Sequence, residues 1–394
     1  MTGRRALPLV LLLWVAGLGA AAQFAKVAVV LPEFAALYPG AGAAVGWLVS
    51  LISAVGLVFG LVAGSLAGGA GLKQLLVASL ALGAAMSLLQ SLAPPFPLML
   101  ALRTVEGASH LGVVVTAPTL IAAYAPDRWR GAAMTLWGTF FGVAFAATAW
   151  AGVPLVRAQG VGALLLAHGV YMAACAAILL LALPGDEPDG APLAWRGLLA
   201  RHARAYASPT VSAPAWGWLF YTFTFVALAT VLPTLVAPDA RVLVAGAMPV
   251  ASIAVSMTLG VVLLRYTSAV GVVMVGFAAS LALAAWLLAG AGDTVVGAAV
   301  EAAVPVALPI VLFGALGLVQ GASFAAVPQL NAPPADRALA NGAMAQTGNA
   351  GNLLGTPVLL ATLGAGGTGA MFAVVIAAYA IGLAIHLVAA RARG

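Results

Sequence analysis

The sequence predicts an all-α polytopic membrane protein with twelve transmembrane helices arranged as two six-helix repeats. Of its 394 residues, 64% are hydrophobic and 7% are charged, whereas soluble domains carry about 25% charged residues. Mean hydropathy is +1.12, and apolar stretches of about 20 residues, the length that spans a bilayer, recur along the chain. These observations exclude a soluble fold, and the single Cys175 excludes a disulfide framework.

Twelve apolar stretches are long enough to cross a membrane, and one long polar stretch, 184–211, interrupts them. The predicted spans are 8–31, 43–66, 72–92, 97–124, 132–154, 161–183, 212–236, 241–264, 268–290, 303–327, 340–363 and 368–390. The polar stretch therefore divides the chain into an N-terminal bundle (1–183), a linker (184–211) and a C-terminal bundle (212–394). Since the first span flows into further spans, we interpret it as a retained helix and not as a signal peptide.

Lysine and arginine residues in the loops predict the orientation, because cytoplasmic loops carry an excess of them. With the N-terminus inside, only Arg157 and Arg241 fall in outer loops. The inner segments then hold twelve basic residues: Arg4, Arg5, Lys73, Arg128, Arg130, Arg196, Arg201, Arg204, Arg265, Arg337, Arg391 and Arg393. Both termini are therefore expected in the cytoplasm.

The fourth predicted span carries three ionisable side chains at membrane depth, Arg103, Glu106 and His110. Their spacing of three and four residues places them on one helical face. On the first span, Lys26 lies at a similar depth, counted at about 1.5 Å per residue, with Gln23 one turn away. Lys26 is therefore predicted to pair with Glu106. Intramembrane charges of this kind indicate either a coupling and substrate site or a buried ion pair that fixes helix packing.

Polar and aromatic side chains of the second half supply further candidates. Tyr221 and Phe225 are one turn apart on the seventh span and form either a stacking surface for a planar ligand or part of a lipid-facing belt. On the eleventh span, Gln346 and Asn349 offer amides to a solute or to neighbouring helices. Gln320 is the clear polar group at depth on the tenth span.

A stripe of soft metal ligands, His168, Met172 and Cys175, occupies positions i, i+4 and i+7 of the sixth span. Such side chains suit Cu(I), but ten methionines in so apolar a chain make one such stripe unsurprising. We therefore predict no metal site and no cofactor. The sequence also lacks the phosphate-binding, zinc-protease and serine-hydrolase motifs, so no catalytic residues are assigned and an enzyme is not expected.

The inner loops that follow the fourth and tenth spans echo each other. Asp127-Arg128 stands in the first of these loops and Asp336-Arg337 in the second, and each pair is followed by glycine and methionine. Parallel six-span repeats with a binding site between them are a transporter architecture.

The chain resembles the major facilitator superfamily along its whole length. The resemblance rests on the six-plus-six topology and on Arg103, Glu106 and Gly107, which match the signature of that family's fourth helix. Two motifs depart from the family. The loop 64–73 lacks the usual Asp-Arg pair, and Val143 stands where antiporter members carry proline. The second departure favours uptake over efflux.

The resemblance implies a secondary transporter whose two halves rock around a midplane site. It implies a cavity lined by the first, fourth, seventh and tenth helices, and a peripheral sixth helix that faces lipid. The expected partners are a small-molecule substrate, protons and the lipid bilayer, with no nucleic acid and no second subunit. The expected location is a bacterial inner membrane.

The segments 17–26, 106–110 and 135–142 are similar to those of a proteobacterial branch of the family that includes copper importers and riboflavin importers. The copper members carry Met-x3-Met on helix seven and His-x3-Met on helix eight. This chain has neither pattern, which favours an organic solute over copper.

The resulting prediction is proton-coupled uptake of a small polar solute, with a vitamin such as riboflavin as the single best candidate. Tyr221 and Phe225 suit a flavin because they are aromatic and one turn apart. Glu106 or His110 is expected to carry the proton. A copper importer and a drug or metabolite efflux antiporter are the alternatives.

Overall fold

The computed structural model describes residues 3–61, 71–185, 198–290 and 304–391, which are almost all helical and contain no strand. The helices of the first half are Gly3–Ala28, Leu31–Leu37, the bent pair Pro39–Ser50 and Ser53–Phe59, Leu72–Gln90, Phe96–Tyr124, Asp127–Gly138, Phe140–Gln159 and Val161–Ala182. Those of the second half are Leu198–Ala207, Pro209–Leu235, Arg241–Leu263, Ala269–Gly290, Ala307–Leu330 and Pro334–Arg391. The long helices coincide with the predicted spans and keep their numbers.

The last helix contains two spans. It is 58 residues long and has non-helical backbone at Gly366 and Gly367. A straight helix of that length would measure about 85 Å, far more than the bilayer core of about 30 Å. The chain turns back at these glycines, because both Gly348 before them and His386 after them pack against neighbouring residues of the seventh span.

The count of spans then agrees with the prediction. Ten of the described helices are long and apolar enough to cross a membrane, and the bent pair, with an angle of 47°, makes an eleventh span. Division of the last helix at Gly366 and Gly367 supplies the twelfth. The all-α polytopic fold is therefore confirmed.

The linker is partly helical, which the sequence analysis did not predict. Residues 186–197, which hold its acidic side chains, lie outside the described residues, as does most of the loop 64–73. A helix at Leu198–Ala207 follows, and the seventh span begins at Pro209 instead of residue 212. The side chain of Ser208 accepts a hydrogen bond from the Val211 amide, and proline occupies the first helical position, both of which favour this start. The division into two bundles stays a prediction.

The two halves meet along two seams. The second span packs against the eleventh, where Gly46 lies against Pro357 and Gly56 against Asn349. The fifth span packs against the eighth, where Gly246 lies against the indole of Trp150. Glycine is used at these positions because a side chain would overlap the opposing helix.

The orientation can be tested by fusing reporters to the chain. We expect alkaline phosphatase fused after Gly394 to be inactive, because the excess of basic residues lies on the side of both termini. The same enzyme inserted after Gln159, in a predicted outer loop, serves as the control and is expected to be active. An active phosphatase at the C-terminus, with an inactive one after Gln159, would invert the orientation.

Candidate functional site

An open cavity of about 880 Å³ lies between the two halves of the molecule. Its walls come from the fourth, fifth, seventh, eighth, tenth and eleventh spans. Val114 and Pro118 lie in the second half of the fourth span, and Trp218 and Tyr221 lie in the first half of the seventh. The cavity therefore opens toward the side of the membrane on which the first span begins, which we call the terminal side.

The walls of the cavity differ from those that the family resemblance implies. None of the described lining residues belongs to the first span, whereas the fifth, eighth and eleventh spans all contribute. The expectation that the first, fourth, seventh and tenth helices line the cavity is therefore correct only for the last three. Most residues of the first span are buried against neighbouring helices instead.

The cavity walls are aromatic and uncharged. None of the described residues that line the cavity is Asp, Glu, Lys, Arg or His. Trp137 and Phe140 of the N-terminal half stack with ring centroids 4.4 Å apart, and Trp218 and Tyr221 of the C-terminal half stack at 4.6 Å. Each half thus presents one stacked pair to the cavity, a surface suited to flat rings.

A few polar atoms interrupt this aromatic lining. Gln320 accepts a hydrogen bond from Ser252 through its Oε1 at 3.3 Å. Tyr221 lies beside Ser252 but its hydroxyl makes no hydrogen bond of normal geometry, and the buried Oδ1 of Asn352 has no partner in the described chain. Buried polar atoms without partners are costly, and both residues belong to the cavity wall.

A second group of polar side chains forms a buried charged cluster away from the cavity, composed of Lys26, Arg103 and Glu106. Lys26 Nζ lies 2.6 Å from Glu106 Oε1, and Arg103 Nη1 contacts Glu106 Oε2. The exposed fractions of the three side chains are 1%, 0% and 0%. The ion pair predicted from helical depth is therefore present, in the half of the membrane opposite the terminal side.

Uncharged groups surround this cluster. Gln90 Nε2 donates to Glu106 Oε2 at 2.8 Å, and Arg103 Nε donates to the Leu48 carbonyl at 2.6 Å. Gln23 Nε2 donates to Ser109 Oγ at 2.9 Å. Burying an ion pair is favourable only when further hydrogen bonds satisfy its remaining atoms. The contacts with Gln90 and Leu48 do so for Glu106 Oε2 and Arg103 Nε, whereas Arg103 Nη2 has no partner in the described chain.

An aromatic ring, Phe24, lies between His110 beside the cluster and Phe141 of the cavity wall. Phe24, only 1% exposed, contacts His110 edge-on at 5.0 Å and Phe141 at 5.8 Å. Phe141 lines the cavity, whereas His110 hydrogen-bonds the Ala20 carbonyl through Nδ1 at 3.0 Å. In this conformation the charged cluster is therefore closed to the cavity.

The predicted site residues fall into three separate places. The cluster and its neighbours contain Gln23, Lys26, Arg103, Glu106 and His110. The cavity wall contains Tyr221, Phe225 and Gln320. The seam between the second and eleventh spans contains Gln346 and Asn349. Of the two interpretations of the aromatic pair, the lipid-facing one is wrong, since Tyr221 and Phe225 are 3% and 5% exposed.

Gln346 joins both halves of the protein to the linker helix. Its Nε2 donates to the Leu57 carbonyl of the second span at 3.0 Å, and its Oε1 accepts from the Tyr206 hydroxyl at 2.8 Å. Burial raises the pKa of Tyr206, so its hydroxyl remains a donor. Asn349 donates to the Ala345 carbonyl within its own helix. Gln346 therefore fits the interpretation of bonding to a neighbouring helix, whereas Asn349 only packs against Gly56 of the second span.

The sixth span was expected to face lipid, and this expectation is wrong for the stripe His168, Met172 and Cys175. The three side chains are 6%, 0% and 7% exposed and point into the bundle. His168 Nε2 lies 3.0 Å from the Gly19 carbonyl, and its Nδ1 lies 3.3 Å from Lys26 Nζ. Both ring nitrogens are therefore occupied. Among the described residues, no group of three or more His, Cys, Asp or Glu is placed to hold a metal ion.

His168 is thus a neighbour of the charged cluster that the sequence analysis missed. Its depth gave no clear signal, because His168 lies seven residues inside its helix whereas Lys26 lies two residues from the end of its own. The apolar character of the sixth span concealed this role, because lipid-facing and buried helix faces are equally apolar.

Comparison with known proteins adds the family and the fold. A protein-family model described as Major Facilitator Superfamily matches residues 10–356. Among solved structures, the chain is similar to the crystal structure of a bacterial homolog to the human lysosomal transporter Spinster, in inward-facing and unoccupied conformation. The two chains are 15% identical with a TM-score of 0.72, over 99% of this chain and 98% of the other. At this identity the likeness concerns the fold alone. No curated protein matches the chain.

Proposed function

The chain belongs to the major facilitator superfamily, and from this membership we propose that it imports a small, planar, uncharged solute together with protons. The family consists of transport proteins, and secondary transport of a small molecule by a multi-pass membrane protein follows from it. The solute, the coupling ion and the direction of transport are parts of the proposal.

The cavity is the observation that carries the proposal. Its volume of about 880 Å³ falls within the range of about 300–1,000 Å³ that is typical of small-molecule sites. An ionised solute would lose its hydration there without meeting a counter-charge among the described lining residues, which is unfavourable. Stacked rings on both halves favour a flat solute with a few polar atoms at its edge, such as riboflavin.

Closure of the opposite side supports transport by alternating access. The charged cluster and the contact between Gly246 and Trp150 lie on that side. On the terminal side, by contrast, a side chain added at Gly131 or Gly138 would meet nothing within 4 Å. A cavity open on one side and tightly packed on the other is the arrangement expected when two halves rock around a midplane site.

Copper import remains the second candidate because three methionines line the cavity, Met134, Met257 and Met344. Thioether sulfur suits Cu(I). The methionines lie on three different spans, without any described histidine or cysteine in the cavity wall. A copper ion would leave the aromatic pairs and the amides of the cavity without a role. The organic solute is therefore the better supported proposal.

The substrate proposal predicts growth of a riboflavin auxotroph at low external vitamin when the wild-type protein is produced. Gln320→Glu is expected to reduce this uptake at least tenfold, because it removes an amide donor and places a carboxylate in an uncharged cavity. Gln329→Glu is the matched control: it lies on the same span, outside the cavity wall, and keeps the oxygen that accepts from the Ala269 amide. Failure of the wild-type protein, correctly inserted, to support growth would reject riboflavin. Copper accumulation by the same cells, above that of cells without the protein, would then favour the second candidate.

Alternating access predicts that weakening the closed side shifts the conformational equilibrium. Gly246→Val should open that side, because the added methyl groups would overlap the Trp150 indole. Spin labels at Arg157→Cys and Leu243→Cys, in a Cys175→Ser background, are expected to show a larger population of long distances. Gly131→Val is the control, since it meets no atom within 4 Å. Identical distance distributions in the two variants would argue against a gate at this contact.

A further inference from the structure

The charged cluster contains one more positive than negative charge. Lys26 and Arg103 both contact the single carboxylate of Glu106, and all three side chains are almost completely buried. The third span contributes only the uncharged Ser87 and Gln90 to this group. The cluster therefore holds one proton more than charge balance requires. A buried excess charge of this kind is costly.

The other titratable groups around Lys26 do not offset this charge. His168 Nδ1 of the sixth span lies 3.3 Å from the Lys26 ammonium and 3.0 Å from Ser87 Oγ, whose own proton goes to the Leu165 carbonyl. Because Nε2 of the same ring faces the Gly19 carbonyl and carries the proton, Nδ1 of the neutral ring accepts from Lys26. Tyr171 and Cys175 lie one and two turns further along the same span, and Tyr171 donates to the Val15 carbonyl. His110 directs Nδ1 at the Ala20 carbonyl and not at Lys26.

We propose that Lys26 is the group that binds and releases the coupled proton, while Arg103 and Glu106 remain an ionised pair throughout the cycle. Release breaks one N–H bond of the ammonium. The proton passes to water, and the electron pair stays on the amine nitrogen. The cluster is then neutral. This inference rests on the proposed proton coupling and replaces Glu106 and His110 as the proton carriers expected from the sequence.

The alternative proton carriers either increase the buried charge or cannot release a proton. A proton on Glu106 would leave Lys26 and Arg103 as two buried cations without an anion. A proton on His168 Nδ1 would add a third cation beside Lys26 and Arg103 and direct one N–H at another across 3.3 Å. Arginine does not lose its proton in proteins. Only the loss of the Lys26 proton reduces the buried charge.

Three acceptors surround the Lys26 ammonium in the present conformation. They are Glu106 Oε1 at 2.6 Å, Ser87 Oγ at 2.8 Å and His168 Nδ1 at 3.3 Å. His168 is a positioning residue: the Gly19 carbonyl holds its Nε2 as the donor and so keeps Nδ1 as the acceptor. One acceptor for each N–H stabilises the protonated form. Release therefore requires Lys26 to leave these acceptors, which ties deprotonation to a change of conformation.

Lys26→Arg tests the inference in proteoliposomes because it keeps the positive charge and cannot release a proton. We expect riboflavin accumulation driven by a pH gradient to fall at least tenfold, while riboflavin counterflow without a gradient stays within about twofold of wild type. Since arginine is larger than lysine in a sealed site, Lys26→Met is the second variant. It leaves a balanced Arg103–Glu106 pair and is expected to show the same separation. Proton-driven accumulation by either variant would overturn the inference.

A direct measurement of Lys26 separates this inference from the proposed function. The sequence contains only two lysines, Lys26 and Lys73, so Lys73→Arg protein labelled with 13C-lysine reports on Lys26 alone by NMR. The expected result is a reversible change of the side-chain signal between ammonium and amine forms as the pH is varied. A signal that remains that of an ammonium, in protein whose wild type shows proton-driven transport, would overturn the inference. Absence of proton-driven transport in the wild type rejects the proposed function instead.

Discussion

Glu106→Gln is expected to destabilise the folded protein by about 3–5 kcal/mol, the range observed when one partner of a buried ion pair is removed. Glu106 is the only carboxylate in contact with the buried Lys26 and Arg103 within the described chain. It also accepts a hydrogen bond from Gln90. Replacement by an amide leaves two cations without a counter-charge and turns one acceptor into a donor. The folded yield should therefore fall sharply.

The measurement is folded yield by size-exclusion chromatography together with thermal unfolding in detergent. Asp127→Asn is the control, because its carboxylate is 91% exposed and its ion pair with Arg130 is on the surface, where such pairs contribute about 0–1 kcal/mol. Lys26→Met should be tolerated better than Glu106→Gln, since it leaves one cation and one anion. A well-folded Glu106→Gln protein with undiminished proton-driven uptake would remove Glu106 from both stability and mechanism.

Gly355→Val is the second large effect that we expect, with a loss of about 3 kcal/mol or more of stability. A side chain at Gly355 would overlap the Phe223 carbonyl oxygen, so the seventh and eleventh spans meet there through their backbones. Neither partner is the flexible end of a side chain, and the clash can be relieved only by moving a helix. Because Phe225 lies two residues from this contact and lines the cavity, solute binding should weaken as well.

The comparison for this variant is Gly364→Val on the same helix, where nothing lies within 4 Å of the added side chain. Both changes carry the same cost in helix propensity, so their difference reports the helix contact. Equal thermal stability of the two variants would show that the spans do not meet at Gly355.

The fold was predictable because its signals are long and repeated. Twelve apolar stretches predict the number of spans without any knowledge of packing. The excess of basic residues in one set of loops predicts the orientation. Depth along a helix is also readable from the sequence, since each residue advances the chain by about 1.5 Å. The contact between Lys26 and Glu106, which are 80 positions apart, was predicted from their similar depth.

The rotation of each helix was not predictable to the same degree. A lipid-facing stripe and a buried stripe are equally apolar, so the inward direction of His168 on the sixth span could not be distinguished from an outward one. For the same reason, the sequence could not show whether the amide of Gln346 or that of Gln320 faces the cavity. Packing places the first in a seam between helices and the second in the cavity.

Simultaneous measurement of riboflavin and proton movement into proteoliposomes tests the central claim most directly. With purified wild-type protein and an acidic exterior, riboflavin should accumulate inside and protons should enter with it, and a protonophore should abolish the accumulation. Protein with Lys26→Arg should still exchange riboflavin but move no protons with it. Riboflavin accumulation without proton entry, proton movement in the opposite direction, or no riboflavin movement at all would contradict the account.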